Sequence, residues 1–595
     1  MTQGTWGVSI VLAALVALAL AADARAQALI TVTEDVVVTA TVEPLGFDEL
    51  ARAVHVVLRT ELERLGLPSV AEALRVVAGV DVRARGPRDV QSDFAVRGAT
   101  FGQSLVLVDG VRLNDSQSGH HNGDIPIPVA GIDRIEVLTG SASAVHGADA
   151  LGGAINVISR RDGHATVSAA AGQHGYAAAQ GSVSGRFLPE RWTLTGWGSR
   201  SSGFAFDRNF AIGGAAVRGA PIAGVRVDAR HLRKAFGANG FYGNSPSKEW
   251  TDLTMAATSW QRTAGAWTTT ARGAYRTHGD HFRWDIARPG VAENRHRTHA
   301  VAGTVLAARA VGDGRRLTVG GSGGSDAVAS SNLGDHRYGH GAAFAELQAR
   351  VAPRATVQAG LRLDGYSTFG SSWSPSVSAG VWVSPGLRLR ASAARAFRIP
   401  TYTERYYRDP AHAATADLRP ERGWSLDGGA DWTRAGWLVS LSGFRRWDED
   451  VIDWVKREPA DLWNTTNVRD VTTTGVEASV ARSWHDALVR VSVASLDVSA
   501  PSLDLLSKYV LEYARHSLVL AAAAPVGGGL HVAGTVEYRA RFRGDAYALV
   551  GLRGSRTVGR ATVFLQASNL FDETYVEIPG VEMPGRWVTV GISVR

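Results

Sequence analysis

The sequence predicts an all-β membrane barrel of about 22 antiparallel strands, with an N-terminal α+β plug domain inside the lumen. Three observations predict it. The first 26 residues read as an export signal. A zone over residues 47–163 mixes helix signals with short strands, and from residue 164 to 595 apolar and polar residues alternate with period two, with no second compositional boundary.

In the export signal, residues 8–22 (VSIVLAALVALALAA) form an apolar run, and Ala24-Arg25-Ala26 supplies a small-residue cleavage site, so cleavage is expected after Ala26. The leading MTQGTW holds no Lys or Arg, which leaves the terminal amine as its only positive charge. The run is shorter than the roughly 20 apolar residues a spanning helix needs, and no other stretch reaches that length. The reading is an exported chain with no membrane helix.

The zone 47–163 carries two capping-box spacings, Thr60-Glu61-Leu62-Glu63 and Ser69-Val70-Ala71-Glu72, in which a hydroxyl and a carboxylate satisfy the first free N–H groups of a helix. Gly66 and Gly79 stand where those helices should stop. Residues 132–160 (IDRIEVLTGSASAVHGADALGGAINVISR) follow, with Gly140, Gly147, Gly152 and Gly153. A domain folded inside a fixed diameter needs tight turns and close backbone approach, and glycine gives both without steric cost.

In the long C-terminal zone, Leu387, Leu389, Ala391 and Ala393 alternate with Arg388, Arg390 and Ser392, and Val588, Val590, Ile592 and Val594 alternate with Thr589, Gly591, Ser593 and Arg595. A soluble sandwich also alternates, but roughly 430 residues far exceed one. At about 20 residues per strand with its turn and loop, the zone yields about 22 strands, the size of barrels whose lumen is plugged. The apolar face then meets lipid and the polar face, Arg595 included, lines the lumen. Closure satisfies every backbone hydrogen bond.

Composition removes several function classes. There is no Cys, hence no disulfide and no thiolate metal site. The net charge of +7 is scattered, without a Lys/Arg tract, so no nucleic-acid partner is expected. Neither HExxH nor a P-loop occurs, and no cofactor is expected. The chain is read as a non-enzyme, with a barrel-embedded outer-membrane enzyme as the non-transport alternative; a passive porin would be blocked by its own plug.

Several stretches together resemble the TonB-dependent receptors of the bacterial outer membrane. In the plug these are FAVRGATFGQSLVLVDGVRLND (94–115) and residues 132–160. In the barrel they are RAFRIPTYTERYY (395–407), LRPERGWSLDGGADW (418–432), NVRDVTTTGVEASV (467–480) and ASNLFDETYVEIPGVEMPGRWVTVGISVR (567–595). The resemblance implies a multi-pass barrel in the outer membrane of a Gram-negative-type cell, in contact with lipid, monomeric, and coupled to TonB across the periplasm. It further implies a periplasmic segment over 27–46 whose TonB box is EDVVVTAT, that is Glu34, Asp35, Val36, Val37, Val38, Thr39, Ala40 and Thr41. Such an extended peptide can add to a partner's sheet as a strand. Only residues 27–33 stand between the signal and the box, so a signalling extension is not expected.

The resemblance also implies import of a scarce metal complex, a ferric siderophore first, cobalamin second and haem third. A length near that of cobalamin receptors motivates the second reading. Ligand candidates cluster in NDSQSGHHNGD (114–124): Asp115, Ser116, His120, His121, Asn122 and Asp124, since imidazole and carboxylate suit many metals; a hydrogen-bonded turn is the alternative. Adjacent histidines on an extended segment point opposite ways, so one of the pair at most faces a given ligand. His412 lies where haem receptors of the family place an axial histidine. Tyr407, with Trp373, Tyr402 and Tyr406, could stack on a flat ligand, although aromatic girdles explain most such rings.

Two departures stand out. Thr139-Gly140-Ser141 replaces the family's Arg-Gly-Pro, removing one plug arginine, while Arg97 remains with Glu477 as its expected wall partner. The chain ends in Arg595 where family barrels end in an aromatic residue.

Overall fold

In the strand Ala355–Tyr366, Leu361 and Leu363 are 53% and 55% exposed, whereas the charged Arg362 and Asp364 are 8% and 3% exposed. Charges inside and large apolar groups outside invert the soluble pattern, and only a wall between lipid and a polar lumen makes both placements favourable. The computed structural model describes residues 37–38, 45–46, 50–161, 165–186, 191–243, 245–468, 470–500 and 505–595. It shows a closed barrel of 22 antiparallel strands, beginning with Thr166–Gly172 and ending with Trp587–Val594, each paired with its neighbours in the chain. First and last strands close the ring in register, from Val167 opposite Val594 to Gly172 opposite Thr589. No helix among the described residues is long and apolar enough to cross a membrane.

The connections alternate in length and so orient the barrel. At the end where the chain enters and leaves the wall, strands are joined by tight turns such as residues 435–436, where Ala435 and Gly436 both take positive φ (49° and 79°), the geometry of a twist-matched hairpin turn. The opposite end carries the longer loops, as expected for the extracellular side. Three of these loops are joined into a five-stranded cap sheet of Arg408–Asp409, His412–Ala413, Trp463–Val468, Val451–Lys456 and Leu506–Ser507. On the outer surface Trp373 and Trp424, 51% and 43% exposed, meet edge-on at 6.4 Å as part of a girdle, so Trp373 does not face the lumen.

The plug is built around a mixed five-stranded sheet in the order Val54–Leu58, Ile132–Thr139, Gly153–Ser159, Ser104–Val108, Val111–Arg112, with a separate hairpin of Val80–Ala84 and Ser92–Val96. The helix Val70–Arg75 starts as its spacing predicts, with Ser69 Oγ accepting from the Glu72 amide at 3.2 Å. The helix Arg59–Leu65 starts earlier than predicted: Leu58 is the N-cap, and Glu61, not Glu63, closes the box by accepting from the Leu58 amide at 3.0 Å. Strand and helix there are continuous, leaving no room for Thr60 as a cap. Gly66 ends that helix at φ 63°. Gly79 is displaced from the second helix end into the turn before Val80.

The plug lies within the ring. Its apolar core of Leu62, Leu74, Ile135 and Val157 continues into lumen-facing wall residues Leu253, Met255, Leu488 and Val519. The glycine-rich stretch is packed too closely for side chains: a Cβ on Gly152 would stand 2.5 Å from Ala99 Cβ and 2.6 Å from the Val96 carbonyl oxygen. Arg595 faces the lumen side, its guanidinium 2.8 Å from Glu63 of the plug.

Candidate functional site

Beside that apolar contact, the seam between plug and wall is rich in ion pairs. At its centre Arg97 donates to Glu477 from Nε (3.0 Å) and Nη2 (2.8 Å), also pairs with Asp427, and lies over the Phe444 ring at 4.3 Å. Arg97 holds φ at 53°, a costly conformation for a non-glycine residue that this set of contacts fixes. Beside it, Arg52 donates to the Ser141 carbonyl, with Asp427 and Glu346 as its neighbouring negative charges. A second guanidinium thus reaches the Thr139-Gly140-Ser141 turn from elsewhere in the chain. Farther round, Arg490 of the wall grips Glu61 (2.8 Å), and Arg75 of the plug reaches Glu577 (2.7 Å) and Glu537 (3.3 Å).

At the extracellular end the apical loop 114–124 meets the wall. Asp115 accepts from Arg276 (2.5 Å) and Thr298 (2.7 Å), and Gln117 donates to Asp280 at 2.9 Å. Asp124 lies 2.8 Å from Lys234 and 2.9 Å from His278. The histidine pair sits in a 3-10 turn, Gly119–His121, in which successive side chains diverge by about 120°. His120 therefore turns to Asp93 (3.1 Å), Phe101 and Tyr509, while His121 turns to Asp280 (3.4 Å) and stacks near His278. Burial pulls His120 down to about 4. Burial acts in the same sense on His121, but its hydrogen bond to Asp280 and the charges of Asp280, Asp124 and Glu249 outweigh it and push it up to about 10. Asn122 donates to the Phe101 carbonyl at 3.1 Å, and the Ser116 carbonyl accepts from the Tyr402 amide at 2.8 Å.

Tyr407 and His412 sit apart from this loop, in the cap. The Tyr407 hydroxyl donates to Asp409 at 3.1 Å, and His412 is held by Asp409 (2.9 Å) and Lys508 (3.0 Å) with Trp454 edge-on. Lys508 touches His412 and the next residue, Tyr509, touches His120, so one loop links the two groups. Three cap cations lie over rings: Arg405 over Tyr406 (4.8 Å) and Phe369 (5.1 Å), Lys456 over Trp463 (4.7 Å) and Lys508 over Tyr509 (5.4 Å). Of the segment 34–41 expected to dock TonB, only Val37–Val38 is described, paired antiparallel with Leu45–Gly46; its other residues and the expected signal 1–26 lie outside the described residues.

A cavity of about 1380 Å³ runs between the plug and one side of the wall, from Ser116 and Thr401 at the outer end to Gly224 at a turn on the inner end, past Arg112, Arg276 and Arg362.

The arrangement of plug and barrel is matched by comparison with known proteins. Residues 48–154 match the TonB-dependent Receptor Plug Domain, and residues 161–570 match the TonB dependent receptor-like, beta-barrel family. The chain belongs to the TonB-dependent receptors. It is accordingly a protein of the Gram-negative outer membrane, in a family of receptors and transporters. The vitamin B12 transporter BtuB of Photobacterium profundum is 24% identical over 522 residues, 81% of this receptor and 82% of that protein. BtuB of Vibrio vulnificus is 23% identical, over 91% of each chain. Among solved structures, the siderophore receptor PirA of Acinetobacter baumannii superposes with a TM-score of 0.74 at 16% identity, over 91% of this receptor and 98% of that chain. The ferric enterobactin receptor PfeA of Pseudomonas aeruginosa gives 0.75 at 15% identity, over 94% and 100%. At these identities the structures share the fold.

Sequence reasoning missed Glu249, His278, Asp280 and Lys234, the wall residues that face the apical loop of this receptor. A signal was present: His278 and Asp280 are two apart in a strand, hence on one face, and that face is the polar one. The pentapeptide Gly320-Gly321-Ser322-Gly323-Gly324 has the letters of a GxSxG hydrolase motif, but it runs through the middle of the wall strand Arg315–Ser330 and not through the strand-to-helix turn that motif requires.

Proposed function

We propose that this receptor imports a ferric siderophore, captured at the extracellular cap and released past the plug when TonB pulls on residues 34–41. The observation that carries the ligand class is the set of cap cations lying on aromatic rings, Arg405, Lys456 and Lys508. The planar ligating groups of an anionic ferric chelate can meet both a ring face and a positive charge there, and the cation already in place lowers the cost of burying the ligand's charge. The cavity beside the plug is the candidate route, and the ionic seam fits a plug that must move, because charges separated on release regain the hydration that burial took from them, which offsets much of the lost pairing.

A corrinoid is the second reading, favoured by the near full-length similarity to the two BtuB proteins. Haem stands third: His412 is the candidate ligand, but both its ring nitrogens are engaged, by Asp409 and Lys508. The test is a binding screen on the purified receptor with several ferric chelates, cobalamin and haem. A sub-micromolar Kd for an anionic ferric chelate, weakened at least tenfold by Arg405→Ala, supports the proposal. Tight cobalamin binding indifferent to Arg405 replaces it with the second reading.

A further inference from the structure

Behind the apical loop lies a closed polar enclave. The plug supplies His121 and Asp124; the wall supplies Glu249, His278 and Asp280, and every one of the five is more than nine-tenths buried. Donor atoms of His121, Asp124 and His278 lie within 4.8 Å of one another, as do those of His121, Glu249 and Asp280, and the two sets share His121. The contacts His278–Asp124 at 2.9 Å and His121–Asp280 at 3.4 Å each have the spacing of two neighbouring ligands on an ion. Bonds of about 2.1 Å at 90–110° place neighbouring donors roughly 3.0–3.4 Å apart.

Charge and unmet bonding point the same way. Lys234 balances Asp124, Arg276 balances Asp115, and Arg85 balances the nearby Asp93. Among the described residues no lysine or arginine forms an ion pair with Asp280 or Glu249, and both carboxyl groups lie in a space closed to solvent. Glu249 Oε2, Asp280 Oδ1 and His278 Nδ1 are buried without a hydrogen-bond partner. Buried polar atoms left without a partner are costly, and atoms so placed are normally hydrogen-bonded or bound to metal. Mixed imidazole and carboxylate donors suit first-row divalent metals, whereas calcium and magnesium take oxygen alone.

We propose that His121, Asp124, Glu249, His278 and Asp280 bind one divalent first-row transition-metal ion, of the Zn²⁺ type, that bolts the apical loop of the plug to the wall. None of the five lines the cavity along which a cargo would pass. The ion is therefore resident, and the inference stands whichever complex the receptor imports. Two ligands come from the plug and three from the wall, so the ion links the part that moves to the part that does not.

The test uses the full-length receptor in detergent, stripped with a chelator and titrated with Co²⁺ alone, then Zn²⁺ alone. Expected are one equivalent of Co²⁺ with visible ligand-field bands, its displacement by Zn²⁺, and a rise in the denaturant midpoint of the plug when Zn²⁺ is added. His121→Ala/His278→Ala should lower the affinity at least tenfold and abolish the midpoint shift. Glu249→Gln, which keeps shape and fold, should lower the affinity severalfold. Absence of stoichiometric binding overturns the proposal, as does equal binding by wild type and both variants, which would mark adventitious sites on surface histidines. A failed siderophore screen leaves this result untouched.

Discussion

Arg97 of the plug and Glu477 of the wall form a bidentate pair, Nε to Oε1 at 3.0 Å and Nη2 to Oε2 at 2.8 Å, with both residues almost fully buried. Glu477→Ala removes one partner and strands a buried guanidinium, a loss of about 3–5 kcal/mol where a pair is this enclosed. Asp427 remains, so the lower figure is expected. Protease cleavage of the plug along a urea series measures it: the variant plug should become sensitive at lower urea while the barrel stays intact. An unchanged midpoint would show that the pair does not hold the plug.

Deletion of residues 34–41 should abolish uptake and leave ligand affinity within twofold of wild type. Uptake in cells and binding to purified receptor separate the two. Continued uptake would remove the docking segment from the coupling step.

Ala302 lines the cavity on a wall strand, away from the cap and from the ionic seam. Ala302→Trp narrows the cavity without touching those contacts. Binding should be unchanged and the transport rate should fall several-fold; an unaltered rate would place the route elsewhere.

Gly152→Ala would put a methyl group 2.5 Å from Ala99 Cβ. Overpacking of this kind costs about 1–3 kcal/mol. The plug's denaturant midpoint should drop accordingly, and equal stability would mean that the turn can relax.

Asp453 of the cap strand Val451–Lys456 is buried, which raises its carboxyl to about 6 even though Ser507 and the Tyr509 and Trp454 amides hydrogen-bond to it. The folded value exceeds the unfolded one, so the folded cap binds the proton more tightly. Its stability is greatest below about pH 4 and declines as pH rises to 6, by roughly 3 kcal/mol in all. Hydrogen exchange of residues 451–456 should thus show more protection at pH 5 than at pH 7 once intrinsic rates are removed. Asp453→Asn should flatten the difference.

The wall was legible from the sequence because lipid on one side and lumen on the other impose a choice on every second residue, as at Leu361, Arg362, Leu363 and Asp364. The helix starting at Arg59 was legible only to within two residues, because the strand before it runs straight into the helix and displaces the predicted cap. The seam was half legible. Motif resemblance pointed to Arg97 and Glu477, but Asp427 meets Arg97 across 330 positions of chain and Arg52 meets Ser141 across 89, and no local pattern marks such meetings. The divergence of His120 and His121 was foreseen for an extended segment, and the 3-10 turn produced it by another geometry. The enclave partners were hidden for a similar reason. A polar residue on a lumenal face is ordinary in a barrel, and what distinguishes His278 from its neighbours is the loop that the plug brings against it.

Main-chain pairing, Ala413 with Asn464 and Val455 with Ser507, knits three separate extracellular excursions into one sheet. Amide groups are the same in every residue except proline, so the weave tolerates nearly any side chain at its outward positions. The outward side chains can therefore be exchanged while the roof keeps its shape, which separates the identity of the surface from the architecture that presents it.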